Sequence, residues 1–258
     1  MELQDKVAVV TGASRGIGAA TARLLANEGC RVAVNYRQSK EEADAVVNDI
    51  GDHAFVLAGD VAKDADCRSM IATTIEKCGR LDILVNNAGT TSFIDFPDLE
   101  AVTDEVWDQI LGTNVKGIFQ CARAAAPHLR AHGEGVIINV ASVAGLVGAG
   151  SSIPYCASKA AAINLTTSLA RTLCPEIRVN AVAPGVIDGE WLKRGLGDDF
   201  SDVMDTKAEQ ALLKKVSKPE DIAQAILGLI RADLVTGQTL PVDAGAMCGP
   251  AMNQGYRW

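Results

Sequence analysis

The chain has 258 residues, enough for one large domain or two small ones, and 48% of them are hydrophobic, enough for a sizeable core. A formal net charge of −8 and a pI of about 4.9 exclude nucleic acid or an anionic membrane as the expected partner. Seven scattered cysteines without Cys-x-x-Cys spacing, three dispersed histidines and no apolar run of membrane-spanning length exclude a disulfide framework, a metal site and a membrane span; with the start Met-Glu-Leu-Gln-Asp they lead us to expect a cytoplasmic protein with reduced thiols.

Lys6-Val-Ala-Val-Val10 is a short β-rich run, Thr11-Gly-Ala-Ser-Arg-Gly-Ile-Gly18 follows, and Ala19 to Glu28 has helical period. In this strand, glycine turn and helix, Gly12 permits the tight turn, Gly16 lets backbone approach a pyrophosphate, and Gly18 lets helix pack on strand. Ser14, Arg15 and Ile17 complete the turn, and the helix start offers amide donors to phosphates. Arg31-Val-Ala-Val-Asn35 reads as the second strand of a βαβ unit. An NAD site wants an acid near its end, for the ribose 2′-hydroxyl. Asn35, Tyr36 and Arg37 stand there instead, and Arg37 with Arg15 suits a 2′-phosphate; the alternative is two solvated arginines. Ser39 to Ile50 reads as a polar-faced helix.

Ala54 to Leu57 is a third strand, ending at Asp60-Val61. That carboxylate can accept from an adenine amino group or serve as a turn residue. A helix over Asp66 to Cys78 precedes the fourth strand, Leu81 to Val85, which runs into Asn86-Asn87-Ala88-Gly89. Small residues there leave room for a cofactor over the strand end, and the asparagines can tie neighbouring strands together. From Thr103 to about Ala131 we expect one long helix, with Gly112 and Gly117 bracketing an inward Asn114. A mid-helix asparagine demands a partner: a water beneath a site, or an ordinary buried hydrogen bond.

The buried run Gly135 to Ala141 ends at Ser142, a glycine-rich loop follows, and Pro154 suits the first turn of a helix that reaches Leu173. Tyr155 and Lys159 are four apart and share one face of that helix. A free phenol has a pKa of about 10, and a cation about 4 Å away is worth roughly 4 kcal/mol at an effective dielectric of 20, enough to lower it by up to ~3 pH units. The expectation is a proton-transferring phenol near neutral pH, with the Ser142 hydroxyl holding the carbonyl oxygen it protonates. Tyr-x-x-x-Lys alone also fits an ordinary amphipathic helix. Ile177 to Val182 is the sixth strand, closing on Ala183-Pro184-Gly185-Val186-Ile187. Residues 188–216 turn charged and irregular with short helical patches, either a lid over substrate or a loose loop. A helix from Asp221 to Ile230 and a last strand from Gly237 to Asp243 follow, and the chain ends Tyr256-Arg-Trp258. Alternating strands and helices imply one doubly wound α/β domain across the whole chain.

Taken together, Thr11 to Gly18, Asp60-Val61, Asn86 to Gly89, Asn114, Ser142, Tyr155-x-x-x-Lys159 and Pro184-Gly185 resemble, in order and spacing, the short-chain dehydrogenase/reductase family. Within it the chain looks most like the 3-oxoacyl-acyl-carrier-protein reductase and glucose dehydrogenase branch. The resemblance implies a parallel seven-stranded Rossmann sheet, a homotetramer, and hydride transfer between a nicotinamide and a small carbonyl or alcohol substrate; Arg37 with Arg15, and the missing acid, make the expected cofactor NADP(H) rather than NAD(H). It implies that Tyr155 is the general acid/base, that Lys159 lowers its pKa and binds the nicotinamide ribose, that Ser142 orients the carbonyl and that Asn114 anchors a proton-relay water. Pro184, Gly185 and Ile187 would cover the nicotinamide. One departure stands out: two residues beyond Pro-Gly-x-Ile the family commonly has a threonine, and this chain has Asp188-Gly189, with no hydroxyl. The pocket would be lined by the residues after Ser142, by Thr90-Thr91, and by Trp191 and Leu192. Reduction of a carrier-protein-bound substrate and a non-catalytic NADP(H)-binding module are the alternatives.

Overall fold

Runs of Val, Ile, Leu and Ala without polar alternation make strands buried on both faces, as a parallel sheet requires. The computed structural model describes residues 1–249; residues 250–258, including the closing Tyr256-Arg-Trp258, lie outside the described residues. The chain runs β1 (Val7–Val10), α1 (Gly16–Asn27), β2 (Arg31–Tyr36), α2 (Lys40–Ile50), β3 (Ala54–Ala58), α3 (Asp64–Cys78) and β4 (Ile83–Asn86). It continues through α4 (Asp104–Leu111), α5 (Gly117–Arg130), β5 (Gly135–Val140), α6 (Ala144–Val147), α7 (Ile153–Leu173) and β6 (Ile177–Pro184). The last part is α8 (Glu190–Leu196), α9 (Phe200–Gln210), α10 (Pro219–Arg231) and β7 (Thr239–Val242).

The sheet has seven strands in the order β3-β2-β1-β4-β5-β6-β7, all parallel. One core lies between the sheet and α1, α2 and α10, where Leu25, Val46, Ile222 and Ile226 are buried. The other lies under α3, α5 and α7, with Met70, Ile71, Leu129 and Leu169. The chain winds outward from β1 to β3, then crosses back to place β4 on the other side of β1, so Val9 faces Ala33 on one side and Leu84 on the other. Such a reversal opens a crevice beyond the C-terminal ends of β1 and β4, where open α/β sheets bind ligands.

The expected elements form with ends moved by a few residues, but two stretches differ in kind. The single helix expected over 103–131 is broken by a π-helical turn, Gly112–Lys116, between α4 and α5. A π turn adds a residue to the helical ladder and re-aims a side chain, and here it turns Asn114 fully inward. The stretch 188–216, expected to be irregular with short helical patches, is more regular than that: it holds α8, a 3₁₀ turn at Gly197–Asp199, and α9. Within it only Met204 and Ala211 are buried, so these helices lie on the domain rather than in it.

Candidate active site

The turn after β1 is shaped by contact with the loop after β4. Gly12 has φ +60, and a side chain there would press to 2.9 Å from the Ala88 backbone. A side chain at Gly18 would meet the Gly12 carbonyl and the Asn87 amide at 2.5 Å, so α1 can begin this close only without one. Gly16 has φ +54 with open space where a side chain would stand, on the side of the turn that faces solvent. Arg15 is the residue before α1, and no side chain caps that helix, so its first N–H groups are left for an external acceptor. Ser14 and Arg15 are part exposed or exposed at the rim, and Ile17 packs into the core beneath.

At the end of β2, Asn35 and Arg37 take different roles. The Asn35 side chain is buried: its oxygen accepts from Gly12 N at 3.0 Å, and its nitrogen donates to the carbonyls of Leu57 and Gly59 at 3.0 and 3.1 Å. Asn35 therefore bolts the glycine turn to β3, and its side chain does not face the crevice. Tyr36 is half-buried against the same core. Arg37 is exposed and makes no hydrogen bond or ion pair among the described residues. Arg15 reaches across and donates to the Ser39 hydroxyl, which brings the glycine turn and the β2 end together. Farther along, the Asp60 carboxylate accepts from Ala62 N at 3.0 Å, so it is at least in part a turn residue. Val61 is buried, and its carbonyl accepts from Gln120 on α5 at 2.8 Å.

The asparagines after β4 tie the centre together. Asn86 donates to Asn139 on β5, and Asn139 to Thr166 on α7, both at 2.9 Å. Asn87 donates to the carbonyls of Thr11 and Gly12 at 2.9 Å. The Thr11 hydroxyl accepts from the backbone N–H of both Asn87 and Ala88 at 3.0 Å. Thr11 thus clamps the two loops of the crevice; sequence reasoning saw only a member of a glycine motif. Gly89 passes above Lys159 and Asn114, its missing side chain leaving the ammonium 3.7 Å from where Cβ would be.

On the far side of that loop the three groups singled out in the sequence converge. Ser142 follows β5; its hydroxyl accepts from Ala144 N at 3.2 Å and lies 3.4 Å from the Pro184 carbonyl. Ser152 caps α7 by accepting from Tyr155 N at 3.4 Å, with Pro154 in the first turn. The Lys159 ammonium is buried, donates to the Val140 carbonyl at 2.8 Å and lies 5.6 Å from the centre of the Tyr155 ring. Asn114 sits beneath: its oxygen accepts from Thr90 N at 2.8 Å, and its nitrogen donates to the Thr90 carbonyl at 2.9 Å and the Ser158 hydroxyl at 3.0 Å. Both N–H donors of this side chain are therefore used inside the protein. Ser158, which carries no motif signal in the sequence, holds α7 to Asn114 and donates to the Tyr155 carbonyl at 2.7 Å.

The electrostatics run against the sequence expectation. Burial pushes the Tyr155 phenol up to about 12, and the Ser142 hydroxyl pulls it only part of the way back. Burial pulls the Lys159 ammonium down to about 8. The phenol stays above its free value because desolvation is the largest effect on it and because the ammonium proton is aimed at the Val140 carbonyl, not at the phenol oxygen. At neutral pH the phenol keeps its proton and the lysine its charge. Pro184 ends β6, Gly185 donates to the Val242 carbonyl at 2.9 Å, and Ile187 pairs with Ser217 at the root of the 188–216 segment. Asp188 is exposed, its N–H held by the Ser217 carbonyl at 2.9 Å. From α8, Trp191 faces Tyr155 with ring centres 6.5 Å apart.

Residues 12–247 match the sequence model of a family described as enoyl-(acyl carrier protein) reductase. A protein named as ketoacyl reductase 2 of the granaticin polyketide synthase, from Streptomyces violaceoruber, is 47% identical over 240 residues, covering 93% of this chain and 95% of that relative. A 3-oxoacyl-acyl-carrier-protein reductase from Staphylococcus epidermidis is 41% identical over 249 residues, covering 93% and 98%. Among solved structures, a crystal structure described as a short-chain dehydrogenase/reductase from Burkholderia xenovorans is similar, with a TM-score of 0.87, 38% identity, and coverage of 95% of this chain and 98% of that one.

Proposed function

The chain belongs to the short-chain dehydrogenase/reductase family, in its 3-oxoacyl-acyl-carrier-protein reductase branch, and from that premise we propose that it reduces a ketone to a secondary alcohol with NADP(H), Tyr155 giving the proton. The observation that carries this reading is the convergence of Ser142, a still-protonated Tyr155 and a charged Lys159 beside the β1/β4 crevice. The Ser142 hydroxyl and the phenol together address a single oxygen atom, which favours a carbonyl over a carbon–carbon double bond. Tyr155 donates to the substrate oxygen as negative charge develops there, and the phenolate left behind is stabilised by the Lys159 ammonium on the face of its ring. Asn114 and Ser158 hold α7 in register beneath it.

The residues at the crevice fit a nicotinamide dinucleotide. An uncapped helix start, an open Gly16 and the apposed loops of Thr11, Gly12, Asn87 and Ala88 make a cradle that a side chain at Gly12 would fill. In this reading Gly12, Ser14, Gly16, Ile17 and Gly18 receive the phosphates by backbone, Arg15, Tyr36 and Arg37 meet the adenosine 2′-phosphate, and Asp60 and Val61 border the adenine. Asn87, Ala88 and Gly89, with Lys159, Pro184, Gly185 and Ile187, enclose the nicotinamide end. When bound, the dinucleotide supplies the hydride. Asn35 acts through the turn it holds.

Relatives are named for carrier-protein substrates, but at the ends of the long helices Arg130 is paired with Glu176 at 3.8 Å. That pair weakens any basic docking face there, so a free ketone is the reading we favour, in a cytoplasmic enzyme whose cysteines are all free. The test is kcat/KM for NADPH against NADH with a panel of ketones. A charged hydrogen bond contributes about 1.5–3 kcal/mol, or roughly 10- to 150-fold. Exposure of Arg37 puts the expected preference for NADPH in the lower half of that range, weakening with salt. Tyr36→Asp with Arg37→Ala should reverse it. A wild-type ratio below one would overturn the assignment, and the absence of NADPH oxidation with any ketone would favour a non-catalytic binding module.

A further inference from the structure

Two large aromatic side chains are left exposed around Tyr155. Trp191 is 45% exposed and Phe93 is 43% exposed. Trp191 and Gly195 are four apart on α8 and so share one face. On that face the tip of the Phe93 ring fills the place a side chain at Gly195 would take, 2.1 Å from the position of its Cβ. The segment that carries Phe93 is fastened to the loop before Tyr155: the Thr91 and Ser151 hydroxyls are 2.5 Å apart, and Ile94 N donates to the Ser151 carbonyl at 3.0 Å. Phe93 therefore spans from the loop beside the phenol to α8, and Trp191 stands one turn away on the same face, its ring centre 6.5 Å from that of Tyr155 and tilted by 52°. The nearest lysine on α8 is engaged elsewhere: Lys193 pairs with Glu190 at 3.5 Å, and its ammonium lies over the Phe200 ring.

From this geometry we infer that Trp191 and Phe93 set substrate specificity, and that the substrate is a ketone whose far side carries a flat apolar ring lying against them. The inference deepens the proposed ketone reduction and rests on it. The two rings stay exposed because their partner is the substrate. A ring gains more than an alkyl chain of similar size there, since ring faces and edges attract one another beyond the area they bury. Trp191 touches no reacting atom; it is a positioning residue, and its effect belongs in KM.

The test compares ethyl 3-oxo-5-phenylpentanoate with the linear ethyl 3-oxoundecanoate under NADPH, two keto esters with the same surroundings at the reacting carbonyl and six carbons each beyond the fifth. The expected result is a kcat/KM roughly 2- to 12-fold higher for the phenyl ester. Trp191→Ala and Phe93→Ala should each bring the ratio near one, with the loss in KM, and Trp191→Phe should restore part of it. Equal kcat/KM for the two esters in the wild type, or a Trp191→Ala variant that loses kcat equally on both, would overturn the inference while leaving ketone reduction intact. If neither ester is reduced, the reaction itself is misassigned. Binding then decides the inference: the phenyl ester should quench tryptophan emission at lower concentration than the linear ester, a difference lost in Phe93→Ala, and equal quenching by the two esters in the wild type would overturn it.

Discussion

Lys159 holds a charge where the fold disfavours it. Its ammonium is buried, and its pKa falls from 10.5 to about 8 through desolvation. The folded chain thus binds this proton less tightly than the unfolded chain, so the associated stability is present above pH 10.5 and is lost as pH falls through about 8. The gap corresponds to about 3 kcal/mol at ~1.36 kcal/mol per pH unit, and the lost bond to the Val140 carbonyl offsets about 1 kcal/mol of it. Lys159→Met should therefore be about 2 kcal/mol more stable than wild type at pH 7 in urea unfolding, with the gain shrinking from pH 8 to 10.5. A variant less stable at pH 7 would contradict the buried-charge account. The positions of Ser142, Tyr155 and Lys159 were legible in the sequence because a strand end, a proline start and a four-residue spacing each leave a local mark. The direction of the phenol's shift was not, since it depends on what packs around the ring. The direction of the Asn35 side chain was not legible for the same reason: at a strand end it can face the crevice or the core, and only Gly12 and β3 decide.

Among the elements, those most deeply buried were the most legible. Strands β1, β4 and β5 are continuous apolar runs, and their alternation with helices dictates the sheet. The π turn at Gly112–Lys116 was not legible, because Asn114 needs Thr90 and Ser158, partners distant in sequence, to make that geometry favourable. In 188–216 the charged, glycine-containing sequence suggested irregular chain with short helical patches, and those patches form as the surface helices α8 and α9 with few buried residues. We propose that this segment is a lid hinged near Ile187 and Ser217. Few buried contacts imply a low opening free energy. Amide exchange in 188–216 should be much faster than in Val136–Val140, and should slow when NADPH and a ketone bind together. Exchange as slow as in that strand would mean that the segment is part of the rigid domain.

For the whole molecule, the sheet places every group of the proposed chemistry at one edge, the C-terminal ends of β1, β4, β5 and β6. The opposite surface question is assembly. On α5, Phe119 is 42% exposed with the Arg123 guanidinium over its ring at 5.2 Å, an apolar feature on the surface of a chain for which the family resemblance implies a tetramer. Light scattering should give about four times the chain mass of 27.0 kDa, and Phe119→Glu should lower it; a wild-type monomer would contradict this. The fold was legible because a doubly wound sheet is encoded many times over along the chain, whereas assembly rests on surface side chains with no periodic signal. Whether Tyr155 gives the proton to a ketone is read by single-turnover NADPH oxidation by wild type and Tyr155→Phe with the same keto ester. A positioned general acid contributes about 10²–10⁴-fold, so the variant should bind NADPH normally and react at least about 100-fold more slowly. A variant within threefold of wild type would show that Tyr155 is not the proton donor.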